Sequence, residues 1–148
     1  MDTVNQDSAI PAQGQQVISA TAFIHRDVGG IRKLFLAKRA ATKKFLPGVY
    51  EFPGGHIDFG EDIVEGLRRE LREEHGMEIS VGDPFFVSTY INEVKGSHSI
   101  QVNYFAQFVG PIENIIIHPQ DHSACGWFSK EEVMAMRDEI VPAGQVGH

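Results

Sequence analysis

Three glutamates stand close together in one short segment of the sequence: Glu70, Glu73 and Glu74. On an α-helix, their spacing of three and four residues places all three carboxylates within about 100° of one another. Like charges at this spacing destabilise a helix by roughly 0.2–0.5 kcal/mol per pair and raise the pKa values of the carboxyl groups. Mg²⁺ is usually held in proteins by a few carboxylates together with water and substrate phosphates. The cluster therefore indicates a metal and phosphate site.

The helix that carries these glutamates is predicted to begin near Glu61 or Asp62 and to end at Gly76. Acidic residues are favoured in a first turn, and glycine is a common helix terminator. Gly66 lies on the same side as Glu70, where a side chain would crowd the site. One apolar stripe is expected to pack on a sheet and to hold the glutamates at the rim of the core; it consists of Ile63, Val64, Leu67 and Leu71.

Segments rich in β-branched and aromatic residues surround this helix. They predict two hairpins, one formed by 17–25 and 31–37 and the other by 78–94 and 99–109. They also predict two short strands, at 50–52 and 124–128. Pro84 indicates a strand start or a bulge. A further short strand at 115–117 is left as an open alternative. Ser129 opens a capping box, which predicts a second helix through about Asp138. We expect one domain at 15–141 between flexible tails at 1–14 and 142–148.

The composition narrows the class of protein. The chain of 148 residues has 13 basic and 20 acidic residues and no basic stripe, which argues against a nucleic-acid polymer as partner. Its apolar runs fall far short of the roughly 20 residues that a membrane span needs. The N-terminus has neither the basic start nor the apolar segment of a secretory signal. A single cysteine, Cys125, excludes an internal disulfide and suits a reducing compartment, so we predict a cytoplasmic location without membrane contact.

The segment that begins at Gly55 resembles the signature of the Nudix hydrolase family. The matching positions are Gly55, five residues, Glu61, seven residues, Arg69-Glu70-Leu71, one residue, Glu73-Glu74, one residue, Gly76 and Met77. The resemblance implies an α/β fold, a Nudix-type α/β/α sandwich with a central mixed β-sheet. It also implies an enzyme that cleaves a diphosphate linkage in a nucleoside diphosphate derivative.

The resemblance also implies a set of metal ligands. The family's glutamates that match Glu70, Glu73 and Glu74 hold Mg²⁺ or Mn²⁺, with help from the backbone carbonyl at Gly55. Glu61 either supports this arrangement or joins the metal shell. This ligand set agrees with the metal site that the glutamate spacing indicates by itself.

Roles in the reaction follow from the same resemblance. The arginine that matches Arg69 orients the carboxylates, and Glu70 and Glu73 are candidates for the catalytic groups. The base is either one of these glutamates or a carboxylate in a later loop. For the loop we choose Asp121, and His122 beside it is the competing choice.

Substrate contacts are expected from basic and aromatic residues outside the signature. Lys38 or Arg39, at the end of a predicted strand, is expected to contact phosphate, and Lys43 and Lys44 are less favoured. Stacking on a nucleobase requires an aromatic face. Phe23 and Tyr90 are our candidates for that face, and further candidates that are more often core residues are Tyr104 and Trp127.

The substrate class is predicted from what the chain lacks. Segment 91–93 has no proline of the kind often found in ADP-ribose hydrolases of the family, and the nearest tyrosine, Tyr90, is misplaced for dinucleoside polyphosphates. The chain resembles instead the compact branch acting on nucleoside triphosphates, including oxidised purines, to give a monophosphate and pyrophosphate. The alternatives are an ADP-ribose or nucleotide-sugar pyrophosphatase and a non-catalytic nucleotide-sensing module. The partner is thus a small nucleotide, and a homodimer stays open.

Overall fold

The computed structural model describes residues 16–93 and 96–140 of the chain. The two predicted tails, at 1–14 and 142–148, lie outside these residues, as do the predicted domain's end positions 15 and 141. Within the described residues, no helix has both the length and the apolar character needed to cross a membrane.

A mixed β-sheet forms the centre of the fold. The bounds of the elements are β1 Gln16–Val28, β2 Ile31–Arg39, β3 Tyr50–Glu51, β4 Gly54–His56, α1 Ile63–His75, β5 Glu78–Asn92, β6 Ser97–Val109, β7 His122–Ser129 and α2 Lys130–Ala135. The strand order is β3-β2-β1-β6-β5, with β4 paired to β1 and β7 paired to β2. Strands β1 and β6 run parallel, whereas the other pairs are antiparallel.

Helix α1 is positioned by its two ends and by its apolar stripe. The Asp62 side chain caps the N-terminus by accepting hydrogen bonds from the backbone N–H groups of Val64 and Glu65. Gly76 ends the helix in the left-handed conformation, with φ of 64°. The stripe packs on the sheet as predicted: Leu67 and Leu71 are fully buried, and Ile63 and Val64 pack against them. The adjoining carboxylate face consequently lies at the edge of the core.

The first hairpin is confirmed, and its turn is the two-residue loop Gly29-Gly30, in which both glycines have positive φ. Positive φ at both central positions is the geometry of a tight hairpin turn. The β5–β6 register shifts on both sides of Pro84, so the predicted bulge is also present.

Three predictions about later segments need correction. Segment 115–117 is not a strand, because the backbone N–H of Ile116 donates to the carbonyl of His75 at the end of α1. The second helix does have its capping box at Ser129, but it ends at Ala135, and a 3₁₀ turn follows at Arg137–Glu139. Ser97 and His98, predicted as turn, belong to β6.

We expect the Asp62 cap to be needed for the stability of α1. Asp62→Ala leaves two backbone N–H groups without their side-chain acceptor and should lower the free energy of unfolding by about 1 kcal/mol. Asp62→Asn, which keeps a capping oxygen, is the matched control and should stay within a few tenths of a kcal/mol of wild type. Urea unfolding measures both. Equal stability of the two variants would contradict the assigned cap.

Candidate active site

The guanidinium of Arg69 is the centre of a hydrogen-bond network on α1. Its Nε and Nη2 donate to the two carboxylate oxygens of Glu61, at 2.7 and 3.0 Å. Its Nη1 donates to Glu70 Oε1 at 3.0 Å and to Glu73 Oε2 at 3.1 Å. Nη2 also donates to the backbone carbonyl of His56 at 3.0 Å. One cation thus fixes three of the signature glutamates relative to the loop that precedes the helix.

Glu61 is turned towards Arg69 and does not line the carboxylate pocket described below. Hydrogen bonds from Arg69 lower the pKa of its carboxyl to about 2, so Glu61 is ionised at neutral pH. Gly66 makes room for this arrangement, because a Cβ there would lie 2.8 Å from Glu61 Oε1 and 2.6 Å from Ile57 Cδ1. In this geometry Glu61 supports Arg69, and its membership of a metal shell stays a prediction.

A pocket of about 360 Å³, which we call the carboxylate pocket, lies between α1, β4 and the start of β7. It is lined by Arg39, Lys43, Glu51, Gly54, Gly55, Glu70, Glu73, Glu74, Asp121 and His122. Five carboxylates face two strongly basic side chains here, so the ionised pocket carries an excess of negative charge. An anionic phosphate would be repelled from such a pocket unless cations entered with it.

Two of these carboxyl groups, Glu70 and Glu74, are partly buried. Burial raises the pKa of Glu70, and it raises that of Glu74 well above its usual range, where Glu51 and Glu70 add their negative charge. Glu74 Oε1 is buried without a hydrogen-bond partner in the described part of the structure. Gly55 lies directly against Glu70, since a Cβ on Gly55 would stand 2.5 Å from the Glu70 carboxylate. A hard dication bound by oxygen ligands fits this donor set.

Both histidines near Glu74 are buried. His122 Nε2 donates to Glu51 Oε2 at 2.8 Å, and His75 Nδ1 donates to the carbonyl of Ile116 at 2.9 Å. Burial lowers the pKa of His75 to about 4, so its imidazole is neutral at physiological pH. Sequence reasoning proposed His122 only as an alternative base and did not single out His75.

Two basic residues line the same pocket and pair with its carboxylates. Lys43 Nζ lies 2.6 Å from Asp121 Oδ1, and this ion pair lowers the pKa of Asp121. Arg39 donates to Glu51 Oε1 at 3.1 Å. Lys38 does not line the pocket, because its Nζ lies over the ring of Tyr50 instead. The structure therefore brings Arg39 and the less favoured Lys43 to the site.

A second, smaller cavity of about 80 Å³ adjoins the carboxylate pocket, and we call it the polar slot. It shares Glu51, Gly54 and Gly55 with the pocket. Its further lining residues are Ser19, Thr21, Phe52 and Gln101. The slot offers hydroxyl and amide groups beside one aromatic ring, directly next to the carboxylates.

The aromatic candidates are placed unequally around this slot. Phe23 lies next to its lining, with its ring stacked on that of Phe52 at 3.8 Å between centroids. Tyr90 pairs with Ser99 on β6 but lines neither cavity. Trp127 and Tyr104 are core residues, packed with Phe35 and its neighbours. Phe52 was missed, because a phenylalanine before a proline gives no signal of a binding site.

We expect Gly55 to be required for the position of Glu70. The methyl group of Gly55→Ala would displace the flexible Glu70 carboxylate and leave the backbone in place, because the glycine has no positive φ. Mn²⁺ affinity, measured by electron paramagnetic resonance of the free ion, should fall about tenfold or more. Gly126→Ala is the control, since its methyl would make an ordinary contact at 3.4 Å. Unchanged affinity in Gly55→Ala would contradict this assignment.

Comparisons with known proteins agree with this geometry. The family model for the NUDIX domain matches residues 16–145. The CTP pyrophosphohydrolase of Escherichia coli K12 is 33% identical over 122 residues, which cover 82% of this chain and 81% of that protein.

Comparison with solved structures agrees with these sequence similarities. The MutT NUDIX hydrolase of Burkholderia pseudomallei superposes with a TM-score of 0.68 at 28% identity, covering 80% of this chain and 86% of the other. The MutT protein of Methanosarcina mazei Go1 has a TM-score of 0.72 at 24% identity over 90% of both chains, which supports the fold alone. The predicted Nudix-type α/β sandwich with its mixed sheet is therefore confirmed. The chain belongs to the Nudix hydrolase family and is a pyrophosphohydrolase that acts on nucleotide derivatives.

Proposed function

We propose that this pyrophosphohydrolase converts a nucleoside triphosphate into a nucleoside monophosphate and pyrophosphate with the help of Mg²⁺ or Mn²⁺. The observation that carries the proposal is a pocket of five carboxylates that opens directly onto a polar slot with an aromatic wall. The pocket suits metal-bound phosphates, and the slot suits the base end of the same nucleotide. We also propose that the enzyme is cytoplasmic, which its single cysteine supports.

The metal would be held by Glu70, Glu73, Glu74 and the backbone carbonyl of Gly55. The donor set supports this, because these residues line one pocket and two of the carboxyl groups have raised pKa values, which a bound cation would lower. When bound, such ions neutralise charge on the phosphates and lower the pKa of an attacking water. In-line attack of hydroxide on the α- or β-phosphorus would then break the α–β anhydride bond, with pyrophosphate or the nucleoside monophosphate as the leaving group.

The protein's own side chains have separate tasks in this proposal. Arg69 keeps Glu70 and Glu73 in place through its bonds to both carboxylates. Arg39 and Lys43 line the same pocket, where they can contact phosphate oxygens. Asp121 would accept the proton of the attacking water after Lys43 has moved from it to the phosphates, since the two are paired at 2.6 Å without substrate.

The substrate's base is proposed to enter the polar slot. A base edge would meet the hydroxyls of Ser19 and Thr21 and the amide of Gln101, and its face would lie on Phe52. These groups can both donate and accept hydrogen bonds, as a cytosine edge requires. Because the Escherichia coli relative is named a CTP pyrophosphohydrolase, CTP is the first candidate, followed by oxidised purine triphosphates.

One experiment tests the proposal. Mg²⁺-dependent hydrolysis is measured across the common and oxidised nucleoside triphosphates and ADP-ribose, with product masses recorded. A monophosphate and pyrophosphate from a triphosphate are expected. Turnover confined to ADP-ribose would move the enzyme to the alternative class, and the absence of turnover on every nucleotide would favour the sensing module.

Removal of one metal ligand should abolish turnover without unfolding the chain. Glu73→Gln and Glu74→Gln keep the size of each side chain but remove its charge, and we expect kcat/KM to fall at least about a hundredfold. Glu65→Gln is the control on the same helix, since Glu65 faces solvent and pairs with Arg68 at 2.6 Å. Circular dichroism checks the fold of each variant. Undiminished turnover in both ligand variants would refute the metal assignment.

Metal binding should be coupled to proton release. Because the pKa of Glu74 is raised in the metal-free protein, a proton held there at low pH must leave before the carboxylate can bind a cation. Apparent Mg²⁺ affinity should therefore fall as pH falls towards the carboxyl range and rise with increasing pH. Isothermal titration calorimetry in buffers of different ionisation enthalpy counts the released protons. An affinity that does not change with pH would contradict the raised pKa.

A further inference from the structure

Three side chains that could ligate a metal ion lie together at the carboxylate pocket: Glu74 and His122, which line it, and His75. Each offers one ligand atom, and these atoms all lie within 4.8 Å of one another. The two imidazole rings lie 5.4 Å apart between centroids. His75 has no solvent exposure and His122 has 2%, so bulk water does not solvate this group of atoms.

The hydrogen bond of His75 fixes which nitrogen carries the proton. Its Nδ1 lies 2.9 Å from the carbonyl oxygen of Ile116, and a carbonyl oxygen can only accept. The N–H is therefore at Nδ1, and Nε2 of the neutral ring has a free lone pair. That Nε2 is buried without a hydrogen-bond partner among the described residues.

The same reasoning applies to His122 with the nitrogens exchanged. Its Nε2 donates to Glu51 Oε2 at 2.8 Å, because a carboxylate oxygen accepts. Nδ1 is therefore the nitrogen that can offer a lone pair to a metal ion, and it too is buried with no partner in the described part of the chain. Glu74 Oε1, also buried and unpartnered, is the third acceptor. Three buried atoms of this one cluster thus have no hydrogen-bond partner among the described residues, which is unfavourable unless a cation or a donor joins them.

We propose that His75 Nε2, His122 Nδ1 and Glu74 Oε1 bind a transition-metal dication of the Zn²⁺ class, at a second site that shares Glu74 with the one that holds the substrate's Mg²⁺. Two imidazoles and a carboxylate are a ligand set typical of zinc, whereas Mg²⁺ prefers oxygen ligands. Both imidazoles already have the supporting bond that ligating histidines usually make, one to a backbone carbonyl and one to a carboxylate.

The geometry requires a modest contraction. Zn²⁺ with bonds of about 2.0–2.2 Å separates tetrahedral ligand atoms by roughly 3.3–3.6 Å. Ligand atoms of the three side chains now lie within 4.8 Å of one another, so they would have to move closer by up to about 1.5 Å. Glu74 would then bridge two sites, with Oε1 on the buried ion and its other oxygen towards the carboxylate pocket. A bound ion would tie the end of α1 to the start of β7.

Zinc binding is tested by nuclear magnetic resonance of the histidine rings in the untagged full chain. Long-range proton–nitrogen spectra are recorded during titration with Zn²⁺, with excess Mg²⁺ present to occupy the carboxylate pocket. We expect the resonances of His75 Nε2 and His122 Nδ1 to shift together and to saturate at one equivalent. This readout does not depend on hydrolysis, so it can fail or succeed independently of the proposed function.

Two variants each remove one lone pair and keep the supporting bond. The amide of His75→Asn can replace the Nδ1 donor to Ile116, and that of His122→Gln can replace the Nε2 donor to Glu51. Each should weaken Zn²⁺ binding at least about tenfold, while His98→Gln, on the distant strand β6, should leave it unchanged. The proposal is overturned if the two rings do not respond to Zn²⁺, or if both variants bind it as tightly as wild type.

Discussion

The guanidinium of Arg69 counterbalances the negative charge concentrated along α1. It donates to both oxygens of Glu61, to Glu70 and to Glu73, and it also reaches the carbonyl of His56 on β4. Without this cation, like charges one turn apart would oppose the helix and each other. Glu74 lies outside the network, and burial instead raises its pKa. The charge left uncompensated in the pocket is what suits the site to bring metal ions and phosphates together.

The sheet imposes a second constraint, because it holds the backbone of Gly54 and Gly55 close to these carboxylates. Gly54 and Gly55 pair with Thr21 and Ala20 of β1, and a Cβ on Gly54 would lie 2.1 Å from the Ala20 carbonyl oxygen. Only glycine allows this close approach together with a φ of 150°. The same strand segment forms the border between the carboxylate pocket and the polar slot. In the proposed function, the phosphate end and the base end of one nucleotide would bind in these two adjoining cavities.

Much of helix α1 and its packing could be predicted from local signals in the sequence. The bounds of α1 follow from Asp62 and Gly76, whose effects act within one helical turn, and its stripe follows from the helical period. Contacts between distant segments were not predictable. Gln101 reaches the slot because β6 pairs in parallel with β1, and His122 meets His75 across a long stretch of chain. Lys43 likewise comes to the site through its loop, whereas the strand end favoured Lys38 or Arg39, and of these two Arg39 lines the pocket.

The central claim is that the carboxylate pocket accepts phosphates only together with divalent cations. The most direct measurement is the affinity for a nucleoside triphosphate analogue with non-hydrolysable phosphate linkages, by calorimetry, in Mg²⁺ and in a chelator. The charge excess of the pocket predicts binding in Mg²⁺ and a loss of at least about a hundredfold without it. Equal affinity in the chelator would contradict the claim.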